Sequence, residues 1–208
     1  MSRVHRVAAV GLMVLCGLVV GPLTASASEV VFVSKATEAD AAFTSDSNGV
    51  TTAIEVISTT IIEMQKGAPV RIDNTMIFVT ITDDGTGQQL DFLAGRALTG
   101  PSVASDIRGA TFGPASIDLE SNFLGGAPQT INLGVVWSPS GAVQHDHMLN
   151  FFCPPGVCFG MFNIVGTNQP ATATLTVSGT VDGLDLSLAS FAETSAHIQR
   201  TTGVGVFK

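Results

Sequence analysis

Residues 172–190 read TATLTVSGTVDGLDLSLAS. Ala173, Leu175, Val177 and Gly179 alternate with Thr172, Thr174, Thr176 and Ser178. Successive side chains of an extended strand point to opposite faces, so this spacing puts one apolar face on a core and one polar face in water. Asp182-Gly183 follows. An Asp-Gly pair supplies the positive φ that a tight hairpin needs. Leu184, Leu186 and Leu188 against Asp185 and Ser187 then predict a returning strand.

The same signature recurs upstream. Ile131, Leu133, Val135 and Trp137 alternate with Asn132, Gly134 and Val136. Segments 36–44, 50–64, 70–81, 88–98, 110–120 and 143–152 are Val/Ile/Thr/Phe-rich, which favours strands. Clusters such as Ser45-Asp46-Ser47-Asn48-Gly49, Asp83-Asp84-Gly85-Thr86-Gly87 and Gly125-Gly126-Ala127-Pro128 punctuate them. Ala192 to Arg200 is polar and reads as an edge strand. The pattern predicts an all-β protein, a single antiparallel β-sandwich of about 8–10 strands. The rival is an outer-membrane barrel. It calls for aromatic girdles at both interfaces, and the chain has no Tyr and one Trp.

The chain opens with Arg3 and Arg6, then the uncharged run Val7 to Val20, then Gly21-Pro22 and Ala25-Ser26-Ala27. A basic start, a short apolar run and a small-x-small site predict a cleaved signal peptide over 1–27 and a secreted domain over 28–208, extracellular or periplasmic. The arginines are not adjacent, so the twin-arginine signal is missing. The net charge is −8 and becomes −10 without residues 1–27, because those two arginines leave with no acid. Such a balance argues against nucleic acid, whose phosphates need Lys and Arg, and against anionic lipid. No later stretch is apolar enough to predict a transmembrane segment in the mature form.

One segment concentrates the chemistry. Residues 143–162 read VQHDHMLNFFCPPGVCFGMF. Cys153 and Cys158 flank Pro154-Pro155-Gly156, a turn sequence, and an oxidising compartment predicts a disulfide between them. Phe151, Phe152, Phe159 and Phe162 surround that tip and are the expected contact residues for an extracellular protein or glycan. The competing reading buries them as a cap on the core. His145 and His147 are two apart and share one face of a strand. They are candidate ligands for zinc or copper, with Met148 or Met161 nearby and His197 as a third imidazole. An oxidised cysteine pair could not ligate as thiolates.

The chain contains no Gly-x-Ser-x-Gly, Ser-x-x-Lys or His-Glu-x-x-His and no phosphate loop. The Asp83–Gly87 cluster lacks the alternating acids of a full calcium loop, though with Asp73 or Asp91 it leaves a surface calcium site open. The stock of His, Lys and Tyr for acid–base work is thin. The first expectation is therefore a secreted, non-catalytic binding or structural protein. The alternatives are a metal-binding protein using His145 and His147, and a small secreted hydrolase.

Overall fold

The computed structural model describes residues 30–65, 68–103, 107–121, 127–152 and 160–207. Their regular structure is antiparallel strand with one short 3-10 turn: β1 (Val30–Ser47), β2 (Val50–Gln65), β3 (Ala68–Asp83), β4 (Gln89–Ala97), β5 (Ser102–Val103), β6 (Ala110–Ser121), β7 (Gln129–Pro139), β8 (Gln144–Phe152), β9 (Gly160–Val181), β10 (Leu184–Asp185) and β11 (Ala192–Phe207). The all-β, antiparallel class is the one the alternation predicts. Its strands are joined in a single sheet. Pairing runs β9, β11, β1, β2, β3, β4, β6, β7 and back to β9.

That return is possible because β9 changes partners along its length. Residues 160–170 lie between β11 and β8, and residues 171–179 pair with β7. Pairing with β11 ends at Pro170, opposite His197. A proline offers no backbone N–H to a ladder, so it sits naturally where pairing stops. The Ser140 N–H donates to the Pro170 carbonyl at 2.9 Å and carries the chain across from β7 to β8.

Where the walls face each other, alternation is strict. Ala39, Ala41 and Phe43 of β1, Ile54 and Val56 of β2, Ile77, Val79 and Ile81 of β3, Leu93 of β4, and Ile131, Leu133, Val135 and Trp137 of β7 are all buried. Two hydroxyls enclosed with them, Ser58 and Thr75, are satisfied in a chain. The Ser58 hydroxyl donates to Thr75 Oγ1 at 2.6 Å, and Thr75 donates to the Thr99 carbonyl at 2.6 Å. The Trp137 indole N–H donates to the Asp40 carbonyl at 2.6 Å, which ties β7 across the interior to β1.

Two strand expectations need correction. The return after Asp182-Gly183 is a strand for only two residues, Leu184–Asp185. The Asp185 carboxylate then accepts from the Ser187 N–H and hydroxyl and winds Leu186–Leu188 into a 3-10 turn. Leu186 plugs the core from there. The expected edge strand Ala192–Arg200 is an edge only in part: residues 192–196 pair with β1 alone, whereas His197–Arg200 lie between β1 and β9. Its polar side chains misled because this part of the sheet is only half covered on either face.

Beyond the packed ring, β8, residues 160–170 of β9, β11, β1, β2 and the start of β3 continue as an open extension. Its edges are β8, which pairs only with β9, and residues 68–74 of β3, which precede the first β3–β4 pair at Thr75.

The ring itself is narrowest between β4 and β6. They pair only through Leu93 with Ser121, Ala94 with Glu120 and Gly95 with Leu119. A methyl group on Gly95 would lie 2.6 Å from Leu119 Cδ2 and 2.7 Å from the Asp118 carbonyl oxygen. Gly203, in contrast, faces open space. Gly95→Ala is expected to destabilise by about 1–3 kcal/mol through overpacking of that seam, and Gly203→Ala by well under 1 kcal/mol. Urea unfolding of the two variants checks this, and equal midpoints would remove the steric role given to Gly95.

Candidate functional site

Strand alternation divides the extension into two faces. On the first lie His145, His147, Leu149 and Phe151 of β8 with Met161, Asn163 and Val165 of β9. Every residue from Gly141 to Phe151 is exposed. Phe151 is 63% exposed, with Leu149, Met161 and Val165 beside it also open to solvent. Phe151 pairs with Met161, and Asn150 with Phe162. Phe162 therefore points to the opposite face from Phe151 and is half-buried. Four phenylalanines close in sequence do not make one patch, because odd and even positions part company on a strand. Phe152 stands opposite Gly160. Phe159 and the Cys153–Cys158 pair lie outside the described residues, as do residues 1–27.

His145 and His147 do share a face. The His147 Nε2–H donates to Asn163 Oδ1 at 2.7 Å. His197 is on the other face, with Gln199 and Thr201, so it cannot join them as a third ligand. Among the described residues no three His, Cys, Asp or Glu side chains come together as a metal-binding group.

The second face carries a shallow groove lined by Asp146, Met148, Ile164, Gly166, Gln199 and Thr201. Gly166 lies between Asp146 of β8 and Thr201 of β11, and its missing side chain lowers the floor. The groove's apolar lining is Met148 and Ile164. On the same face Gln199 stands opposite Glu38 of β1, and His197 opposite Asp40. His197 Nδ1 lies 2.6 Å from Asp40 Oδ1. Thr59 Oγ1 reaches Glu38 Oε2 at 3.5 Å from β2.

The charges of this cluster act on one another. The hydrogen bond to Asp40 holds the His197 imidazole above its ordinary value against the opposing effect of burial, with the Asp40 and Glu38 charges adding to the rise. Burial pushes the Glu38 carboxyl up, and the Asp40 charge pushes it further. Glu55, one pair along on β2, is raised by burial and then by Asp40. The arrangement is a histidine oriented through Nδ1 by a carboxylate, on the same face as a groove of mixed polar and apolar lining. It can hold a proton, or a ligand that presents a donor to the carboxylates and a nonpolar group to Met148 and Ile164. Sequence spacing could not show it, because Asp40 and His197 sit at opposite ends of the chain. Glu38 and Asp40 simply alternate with Ala39 and Ala41, so the sequence carried no hint of the pairing.

No family model matches the chain, and no curated protein matches it. Among solved structures it is similar to an acetoacetate decarboxylase-like enzyme from Sphingomonas wittichii RW1, with a TM-score of 0.28 and 10% identity over 86% of this chain and 91% of that one. A likeness that distant transfers neither residues nor chemistry.

The raised groups fix a sign for stability against pH. A histidine raised in the folded state stabilises fully below its unfolded value, about 6.5, and loses that contribution as pH rises through the folded value. Glu38, raised as well, also favours the protonated fold, so its effect has the same sign. The protein is expected to melt higher near pH 6 than near pH 9, and His197→Gln to flatten that slope. Thermal unfolding across the range tests this. Equal slopes in the two proteins would show that the Asp40–His197 pair does not set it.

Proposed function

We propose that this chain is an exported, non-catalytic binding protein whose contact surface is the β8–β9 part of the sheet extension. The observation that carries the reading is the exposure of β8 over its described length, with Phe151, Leu149, Met161 and Val165 open together on one face. Folded proteins seldom leave such a run of large apolar side chains uncovered, and those that do use it for contact. Among the described residues, β8 also presents an unpaired edge of backbone N–H and C=O groups. Its sequence, QHDHMLNFF, contains neither the lysine nor the proline that commonly blocks such an edge. A partner that adds a strand there gains both main-chain hydrogen bonds and the apolar face. This favours an extended polypeptide over a glycan as the partner. The basic start and apolar run before Ala25-Ser26-Ala27 support export, and an oxidising compartment supports a Cys153–Cys158 bridge that would pin the tip of the same hairpin.

Two measurements test the proposal. Intact mass of the protein recovered from outside the membrane should place its first residue at Ser28 and rise by two hydrogens on reduction. Fluorescently labelled protein should be retained by the cells that secrete it, and the double variant Phe151→Ser, Met161→Ser should lose retention about tenfold, which corresponds to about 1.4 kcal/mol. Circular dichroism and melting should stay unchanged, since both side chains are exposed. Equal retention of wild type and variant would dismiss this surface as the contact.

A further inference from the structure

The turns at the packed end of the sheet, opposite the extension, are acidic. Asp46, Asp83, Asp84, Asp91, Asp182 and Asp185 all belong to that end, and no Lys or Arg stands among its described residues at 46–51, 83–91, 119–121, 127–131 and 180–187. Five of these acids are accounted for by exposure or by turn hydrogen bonds. Asp91 is different. It is 1% exposed on β4. Its Oδ1 accepts from the Phe92 N–H at 2.7 Å and from the Ser121 hydroxyl at 2.8 Å. Its Oδ2 is buried with no hydrogen-bond partner among the described residues.

The group facing Asp91 is a second carboxyl. Asp182 sits in the β9–β10 turn with φ of 49°, a left-handed conformation that Asp tolerates better than most residues. Gln129, at the start of β7, grips it from two sides. The Gln129 side-chain N–H donates to Asp182 Oδ1 at 2.6 Å, and the Asp182 N–H donates to Gln129 Oε1 at 2.7 Å. So fixed, the Asp182 carboxyl meets that of Asp91, and burial and that contact together push Asp182 above the ordinary carboxylate value.

We infer that Asp91 and Asp182 form a binding site for a divalent cation of the calcium class. Two carboxylates held together, one of them buried with an oxygen unused, carry an electrostatic cost that the surrounding residues do not offset. The donors that reach them occupy Oδ1 of each and add no positive charge. A proton would neutralise one of the two charges; a divalent ion neutralises both. The available ligands are all oxygens, from Asp91, Asp182 and the Ser121 hydroxyl, which suits a hard cation. The carboxylates come from a strand and a turn, and calcium accepts such irregular coordination with water filling the remaining positions, whereas magnesium demands a near-ideal octahedron. The acidic turns around the site raise the local concentration of cations. A bound ion would also clamp the β9–β10 turn to β4, over the end of the core.

Differential scanning fluorimetry of the full exported protein tests the inference with calcium chloride, magnesium chloride and a chelator. Saturating calcium is expected to raise the melting temperature by about 5 °C or more, with a smaller response to magnesium. Asp182→Asn should abolish the shift while leaving a folded protein, because the residue is exposed and Asn also tolerates the left-handed turn. Asp84→Asn, on the neighbouring β3–β4 turn, should keep it. Equilibrium dialysis with calcium alone should find one ion per chain, lost in Asp182→Asn. The inference fails if wild type shows no calcium shift, if Asp182→Asn retains it or if Asp84→Asn removes it. It also fails if the pair is stabilised only by lowering the pH, because the carboxyls would then share a proton.

Discussion

The structure depends on one strand serving two partners in succession. β9 spans Gly160–Val181. Its first half completes the open extension, and its second half closes the packed ring against β7. Pro170 marks the change, where a missing N–H ends pairing with β11. Beyond it β9 pairs with the short β10 at Thr180 and Val181, and Leu186 of the 3-10 turn is buried in the core. The closed end, the plug and the extension all follow from where that strand lets go of one neighbour.

This arrangement explains what could be read from the residues and what could not. In the ring one face is dry and the other wet, so β7 and the second half of β9 announce themselves by alternation. In the extension both faces are partly wetted. The signal fades, and the first half of β9 reads as nothing while β11 reads as an edge. Local chemistry could override the pattern, as at Asp185, whose carboxylate bonds the backbone two residues on and stops a strand that three leucines would have continued. At the candidate site, the shared face of His145 and His147 follows from a period of two and was legible. The separation of Phe151 from Phe162 follows from the register of β8 on β9, which depends on the path of the chain between them. The Asp40–His197 and Asp91–Asp182 pairs join residues far apart in the chain, and no spacing rule reaches them.

The polar groups are distributed with the same logic. Inside the ring, Ser58, Thr75 and the Thr99 carbonyl satisfy one another and contribute rigidity without charge. On the groove face of the extension, Glu38, Asp40 and His197 remain partly open to water. Between them stands Trp137. Its ring belongs to the core, yet its N–H is held by the carbonyl of the same Asp40 whose carboxyl orients His197. The backbone of Asp40 is thereby fixed from the core side and its side chain engaged from the groove side, so the position of the imidazole is set by packing in the ring.

Cations are absent from the described turns of the packed end, while the extension carries both signs of charge. Lys35, Arg71 and Arg200 lie on the extension, on the same face as Phe151 and Met161. Arg71 is paired with Asp73 at 2.8 Å, and Asp73 in turn accepts from Thr60 at 2.5 Å. The turns of the packed end have only carboxylates. A chain with so negative a net charge repels itself, and that repulsion is greatest where the acids cluster. Contact with a partner is therefore least opposed at the extension, where the few cations and the uncovered apolar side chains coincide. The packed end, closed by the β4–β6 seam and lined by acids, favours a small cation over a macromolecule. The fold thus separates an exposed apolar face from an acidic pole by the length of its own strands.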